Sequence, residues 1–412
     1  MATRYWLGRV QPRKMVITIT VSGYDVTTTY KVTIGVNVVS VVGSGGTVAT
    51  VATALTAALV ATEYREFQEI AWTSDSAVIT GTAITAGTPF TAVSSVSGGA
   101  GTIGAVTTTT TNTSPNDIND ANNWSAATKP VSTDSVVVEK SSAAMKWGLD
   151  AYSAVDIVSW INRSSFTAEI GLPIDNENGY VEYRPTTLLL QTCTTLYEEQ
   201  PASLGTGGRK YNVGSTACTY TCIGQGGASI GEEVTWFNGT NTGNAIEVDG
   251  GSVAIAPLDS DAAGLTTLKM TNGATVRCGL GTTFTTATVT CVDSTLDVRS
   301  NIATLTVEGD SQITCWNTMT LTTFNLAAQC TYNSTGTITT LNLLSNATGT
   351  GSIDFSQDPS ARTITNAVQA YAGTTFNDPD GTVTMSAGIK YVQCRDTDIT
   401  KDFGRNKTIS VA

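Results

Sequence analysis

The stretch "TLTVEGDSQITCWNTMTLTTFNL", Thr304 to Leu326, consists of short Thr/Val/Ile/Leu runs broken at a Gly-Asp and an Asn-Thr corner, with one cysteine and hardly a charge. β-Branched side chains suit a pleated surface, and Gly, Asn and Asp supply the corners between strands. Similar phrases recur through the C-terminal half. Strand centres fall at Val276, Leu296 and Ile313, spaced by 20 and 17 residues, and at Val289, Leu305 and Leu321, spaced by 16. A near-regular period of this size is the length of one coil of a parallel β-helix. A single coil cannot bury its own apolar face, so stacking must supply the core. Cys278 and Cys315 then belong on inward columns, and Cys291 and Cys330 on those of another face.

Composition agrees with an almost all-β chain. Charged residues make up 14% of the 412 positions, against about 25% in ordinary globular proteins. The net charge of −12 is spread thinly and disfavours duplex nucleic acid, whose phosphates draw on clustered Lys and Arg. No histidine occurs, which excludes His-dependent triads and His-containing zinc sites. The longest apolar stretch, "VATVATALTAALVA" (Val48 to Ala61), is too short and Thr-rich to span a membrane. The basic N-terminus runs into the alternating "MVITITVSG" and shows no secretory signal, so synthesis in a cytoplasm is expected. The eight cysteines all lie in the C-terminal half and are expected as buried free thiols. Cys218 and Cys222 have no second pair of matching spacing, which argues against zinc.

Three regions are expected. Residues 1–111 read as a small α+β domain. "VITITVSG" and "TTYKVTIGVNVVSVVG" alternate with period two and join through "GYD" as a hairpin, and the three- and four-residue spacing of Val48, Val51, Leu55 and Leu59 gives a helix capped near Ser44 to Thr47. The Thr run of "AVTTTTTNTSPND" reads as an extended connector. Residues 112–150 form a linker and solenoid cap, and 151–412 the parallel β-helix, making the fold mainly β.

The phrases "TYKVTIG", "ATVATALTAALVA" and "FQEIAWTSDSAVITGTAITAGTPFT" resemble an attachment module of phage virion proteins and some bacterial surface-layer proteins. "DANNWSAATKPVSTDSV" resembles the D-x-x-N-W-S…P…D-x-V segment that opens many bacterial and phage β-solenoids. That resemblance implies that Trp124 caps the first coil and Asp134 turns the chain into its first strand, Val136 to Glu139. "IGLP" (Ile170 to Pro173) and "YVEYRP" (Tyr180 to Pro185) resemble words found in phage structural proteins, and no chemical role follows from them.

Chemistry has few candidates. Glycoside hydrolysis needs two carboxyl groups about 5 to 9.5 Å apart. Glu177 with Glu182, Glu198 with Glu199, Glu232 with Glu233, and Asp259 with Asp261 are the pairs to test, although neighbours on a strand point to opposite faces and the others lie in turns. Arg277, Arg299 and Arg362 have no acidic cluster near them in sequence. Asp117, Asp120 and Asn122 alternate oxygen ligands but lack the glycine and glutamate of an EF-hand. "GTGG" (Gly205 to Gly208) lacks the context of a phosphate loop. Trp124, Trp147, Trp160, Trp236 and Trp316 would make a carbohydrate platform only if several shared a face.

The reading is therefore a phage virion structural protein without catalytic residues, cofactor or metal. The resemblance implies a homotrimer. A capsid decoration or cement protein on the virion head surface, bound to the major capsid protein, is expected first, with Arg4, Arg9, Arg13 and Lys14 as capsid-docking residues on an N-terminal arm. The alternative is a tail spike or fibre that recognises host surface glycan, with or without cleaving it. Neither nucleic acid nor membrane is an expected partner.

Overall fold

The computed structural model describes residues 2–404. The chain is 44% strand and 7% helix, and residues 135 to 402 form a parallel β-solenoid of about 12 turns. Side chains of one coil stack on those of the next. One inward column runs Val136, Trp160, Leu196, Tyr220, Ile246 and Leu268, then on through Val289, Leu305, Phe324 and Leu341. Every member is 2% exposed or less. At about 1.5–3 kcal/mol for a fully buried large apolar side chain, such columns are the main stabilising term.

The expected column Val276, Leu296 and Ile313 is present on a second face and continues into Cys330 and Ile353. The other expected column is displaced at its last member. Leu305 pairs with Phe324, 19 residues on, and Leu321 pairs with Ile302. The corner after Cys315 adds residues to that coil, so a 16-residue step falls three positions short. Cys278 and Cys315 share a column through Val298. Cys291 and Cys330 do not share one: Cys291 stacks between Met270 and Val307, and Cys330 between Ile313 and Ile353. All eight cysteines are free and seven are buried.

The solenoid interior holds a polar inclusion. Glu198 occupies the inward position between Asn162 and Cys222 and is paired at 2.9 Å with Arg209, both side chains fully buried. Its carboxylate also accepts from Tyr220 Oη at 2.9 Å and Thr235 Oγ1 at 3.0 Å. Below it, Asn162 donates to Tyr211 Oη and accepts from Trp160 Nε1.

The domain boundaries differ from those expected at both ends. The strand Thr3–Tyr5 lies parallel on Ser135–Val137, so the chain begins as the first rung of the solenoid. The solenoid then resumes at Ser135 instead of residue 151. The α+β unit is inserted between these rungs, and the strands leaving and returning meet at an antiparallel bridge between Arg13 and Thr113. Part of the Thr run expected as a connector, Thr107–Thr110, is a strand against Val16–Thr18.

Inside the inserted unit, the helix Val48–Ala61 starts at Thr47, whose side chain accepts from Thr50 N. It buries Val51, Leu55 and Leu59 with Ile17, Val32, Phe67, Trp72 and Ile79. The hairpin expected through "GYD" does not form. Val16–Gly23 pairs with Val78–Ala83, and the second run folds on itself, Thr29–Ile34 against Asn37–Val42. Its two loop residues are Gly35 and Val36, with Gly35 at φ +56°, the conformation a two-residue hairpin requires.

Candidate functional site

The words without a chemical role in the sequence converge where the inserted unit meets the solenoid. Residues 170–185 leave the solenoid wall as a loop closed by a bridge between Asp175 and Val181. Arg184 sits at its base. Its Nε and Nη2 donate to Glu182 at 2.7 and 2.9 Å, Nη1 donates to Pro89 O at 3.0 Å across the junction, and Glu69 Oε2 lies 3.7 Å away. The guanidinium stacks on Trp147 at 4.8 Å and on Tyr183 at 4.9 Å. Tyr180 Oη and Asn178 Nδ2 both donate to Glu69 of the inserted unit, at 2.6 and 2.9 Å. Burial raises the Glu182 carboxyl's pKa, but the hydrogen bonds from Arg184 prevail and hold it below the usual carboxylate range. Seven side chains thus clamp two domains. The clamp borders a cleft of about 710 Å³ that includes Arg65, Ile84, Lys146 and Trp147.

The N-terminal basic residues do not form a free arm. Arg4 belongs to the first rung and its Nε donates to Asp134 Oδ2 at 2.9 Å. Arg4, one of the four expected docking residues, thus has its charge paired with Asp134. Arg9 Nε donates to Asn122 O at 3.3 Å, while Arg9, Arg13 and Lys14 remain exposed beside the junction. Asp134 accepts from Ala2 N as well as Arg4, so it fastens the N-terminal rung in addition to preceding the strand Ser135–Val138. Trp124 is fully buried at the same end, edge-on to Trp6 at 5.1 Å and to Trp160 at 6.2 Å, with Nε1 donating to Ile118 O.

Coil stacking also assembles a charged and aromatic strip that spacing along the chain conceals. The outward column Lys210, Trp236, Ala254, Arg277, Asp297 and Thr314 crosses the second face. Arg277 Nη2 lies 3.1 Å from the fully buried Glu233 carboxylate, 44 residues away in sequence. Asp297 accepts from Trp316 Nε1 at 2.5 Å, and burial raises its pKa. Lys210 Nζ lies 4.7 Å over the Trp236 ring and donates to Leu172 O, and burial lowers its pKa. The expectation that Arg277 lacks acidic neighbours holds only along the chain. The signal was available as intervals of 23 and 20 residues from Ala254 to Arg277 to Asp297, one coil each.

The paired acids separate. Glu198 points into the lumen and Glu199 outward to Arg163 at 2.8 Å. Glu182 is held by Arg184 while Glu177 is exposed; Glu233 is held by Arg277 while Glu232 is exposed. Asp261 accepts from Leu258 N within its own turn, and Asp259 is exposed. None of the four sets two unpaired carboxyl groups across one groove. Asp117 and Asp120 cap their own turns through Asn119 N and Asn122 N, and no group of three or more potential metal ligands occurs among the described residues. Of the five tryptophans, Trp124 and Trp160 are core, Trp147 stacks on Arg184, and Trp236 and Trp316 are half-buried on the charged strip. No family model, curated protein or solved structure matches the chain.

Proposed function

We propose that the chain is a structural subunit of a bacteriophage virion, and specifically a homotrimeric decoration protein of the head surface that binds the major capsid protein. The observation that supports it is the junction clamp. Arg184, Tyr180 and Asn178 fix an inserted α+β unit to the N-terminal end of a solenoid of about 12 turns, which suits a subunit that attaches at one end and projects a rigid stalk. Arg9, Arg13 and Lys14 are exposed at that end and suit an acidic shell. A subunit that binds only the assembled shell stabilises it by mass action. Electron cryomicroscopy of particles carrying a C-terminally tagged copy tests the assignment: label over the head supports decoration, and label confined to the tail refutes it. Deleting the N-terminal residues would remove a solenoid rung, so docking is better tested by Arg9→Glu, Arg13→Glu and Lys14→Glu together. Undiminished occupancy of particles by that variant would refute the docking assignment.

The strip of Trp236, Arg277, Asp297 and Trp316 favours a second reading, a tail spike that binds host glycan, because an aromatic ring beside fixed charges is a surface on which a sugar can stack and hydrogen-bond. Tail label in the same experiment would select it.

A further inference from the structure

The first face of the solenoid is unlike the charged strip. Its outward column carries Thr267, Thr288, Thr304, Thr323 and Thr340 in five successive coils. Ser159, Thr195 and Thr219 extend it towards the N-terminal end, with Ala245 as the one position lacking a hydroxyl. Two residues further along each strand, a parallel column carries Thr290, Thr306, Asn325 and Asn342, and Asn342 Nδ2 donates to Asn325 Oδ1 at 2.8 Å. The only charges in this part of the second column are Glu247 and Lys269, which neutralise each other at 2.6 Å. On a chain of net charge −12 these two columns are neutral, with the acids Glu199, Asp249 and Glu308 one outward position further along the same strands, whereas the outward column of the second face carries Arg277, Asp297, Asp354 and Asp402.

We infer that this hydroxyl face is where a second copy of the chain packs. The inference rests on the self-association included in the proposal above and names the surface responsible. Two arguments select a copy of the chain as occupant. Coils repeat about every 4.8 Å, so nine rungs make a flat strip roughly 40 Å long, and a partner that matches this repeat over the whole length is another solenoid. Acidic chains repel, and the neutral face is where two of them approach at least electrostatic cost. Short β-branched hydroxyl residues lose little side-chain entropy when covered.

Sedimentation equilibrium of the full chain tests the inference. The wild type is expected at two or three times the protomer mass of 42.8 kDa. The triple variant Thr288→Glu, Thr304→Glu, Thr323→Glu is expected at the protomer mass, and Gln312→Glu with Gln329→Glu, exposed on the second face, is expected to retain the wild-type mass. Protection of the buried thiols reports that each variant is folded; should the triple variant lose it, the single Thr304→Arg is read in the same way. A wild type that sediments as a protomer overturns the inference, as does a folded face variant that stays associated. The virion assignment fails separately, on the position of the label on particles.

Discussion

The buried ion pair inside the solenoid gives the sharpest energetic test. Arg209 and Glu198 are fully buried, 2.9 Å apart, and the carboxylate has two further donors in Tyr220 and Thr235. Removing one partner of such a pair strands a charge and costs about 3–5 kcal/mol, whereas removing both charges with shape retained is often close to neutral. Arg209→Met should therefore destabilise the coils around Leu196 to Cys222 by that amount. Glu198→Gln combined with Arg209→Met should recover much of it, since the amide oxygen accepts from one of the Tyr220 and Thr235 hydroxyls and the amide N–H donates to the other. A coupling of about 2 kcal/mol is expected between the two sites, within the range for residues in one network. Solenoids unfold coil by coil, so the readout is native-state hydrogen exchange of amides in these coils, which reports the local opening free energy. A cost below about 1 kcal/mol for Arg209→Met, or additive effects in the cycle, would refute the argument that the pair is held as charges in a dry lumen.

Four further outcomes are expected. Under native conditions a thiol reagent should modify Cys394 and spare the other seven cysteines until unfolding, because Cys394 alone is partly exposed and burial pushes Cys291 up to about 12; rapid reaction of several thiols counts against the stacked core. Burial raises the Asp134 carboxyl's pKa, but the hydrogen bonds from Arg4, Ala2 and Val131 hold it below its ordinary value. A depressed folded value contributes stability above the unfolded value of about 4 and loses it as pH falls through the folded value. Exchange of the first rung should accordingly rise below about pH 4 in the wild type and be fast already at neutral pH in Asp134→Asn. Arg184→Ala removes the junction's central cation and its bonds to Glu182 and Pro89, and should loosen the inserted unit while leaving distant coils protected, seen as new protease cleavage near residues 13 and 113. Gly35→Ala forces a Cβ into a φ of +56° and to 2.9 Å from Tyr183 Cβ, and should cost at least about 1 kcal/mol while disturbing the same junction; unchanged stability would mean that the turn is not held by the loop above it.

Sequence periodicity located the solenoid because its signal is repeated: Val276, Leu296 and Ile313 stack as their spacing implies. It failed at Leu321 for the same reason, since coil length varies and a corner of a few extra residues shifts the register without altering composition. The hairpin at Gly35 carried a usable mark. Tyr30, Val32 and Ile34 occupy even positions and Val39 and Val41 odd ones, the parity change that a two-residue turn produces between paired strands. The insertion of the α+β unit left no such mark, because three residues, Thr3 to Tyr5, are too few to show alternation. The strip around Arg277 and the clamp at Arg184 join residues 20 to 111 positions apart, and only the fold sets those distances.

The interrupted first rung also governs the order of events during synthesis. Thr3–Tyr5 leaves the ribosome ahead of its partner strand and cannot pair until Ser135–Val137 has followed. At about 5–20 residues per second that is a wait on the order of ten seconds, long enough for the inserted unit to fold alone. Once folded, its paired stems at Arg13 and Thr113 shorten an excursion of a hundred residues to the width of one backbone bridge. The closure entropy of the first rung is then nearly that of a short loop, because the inserted unit brings the two strands of that rung together.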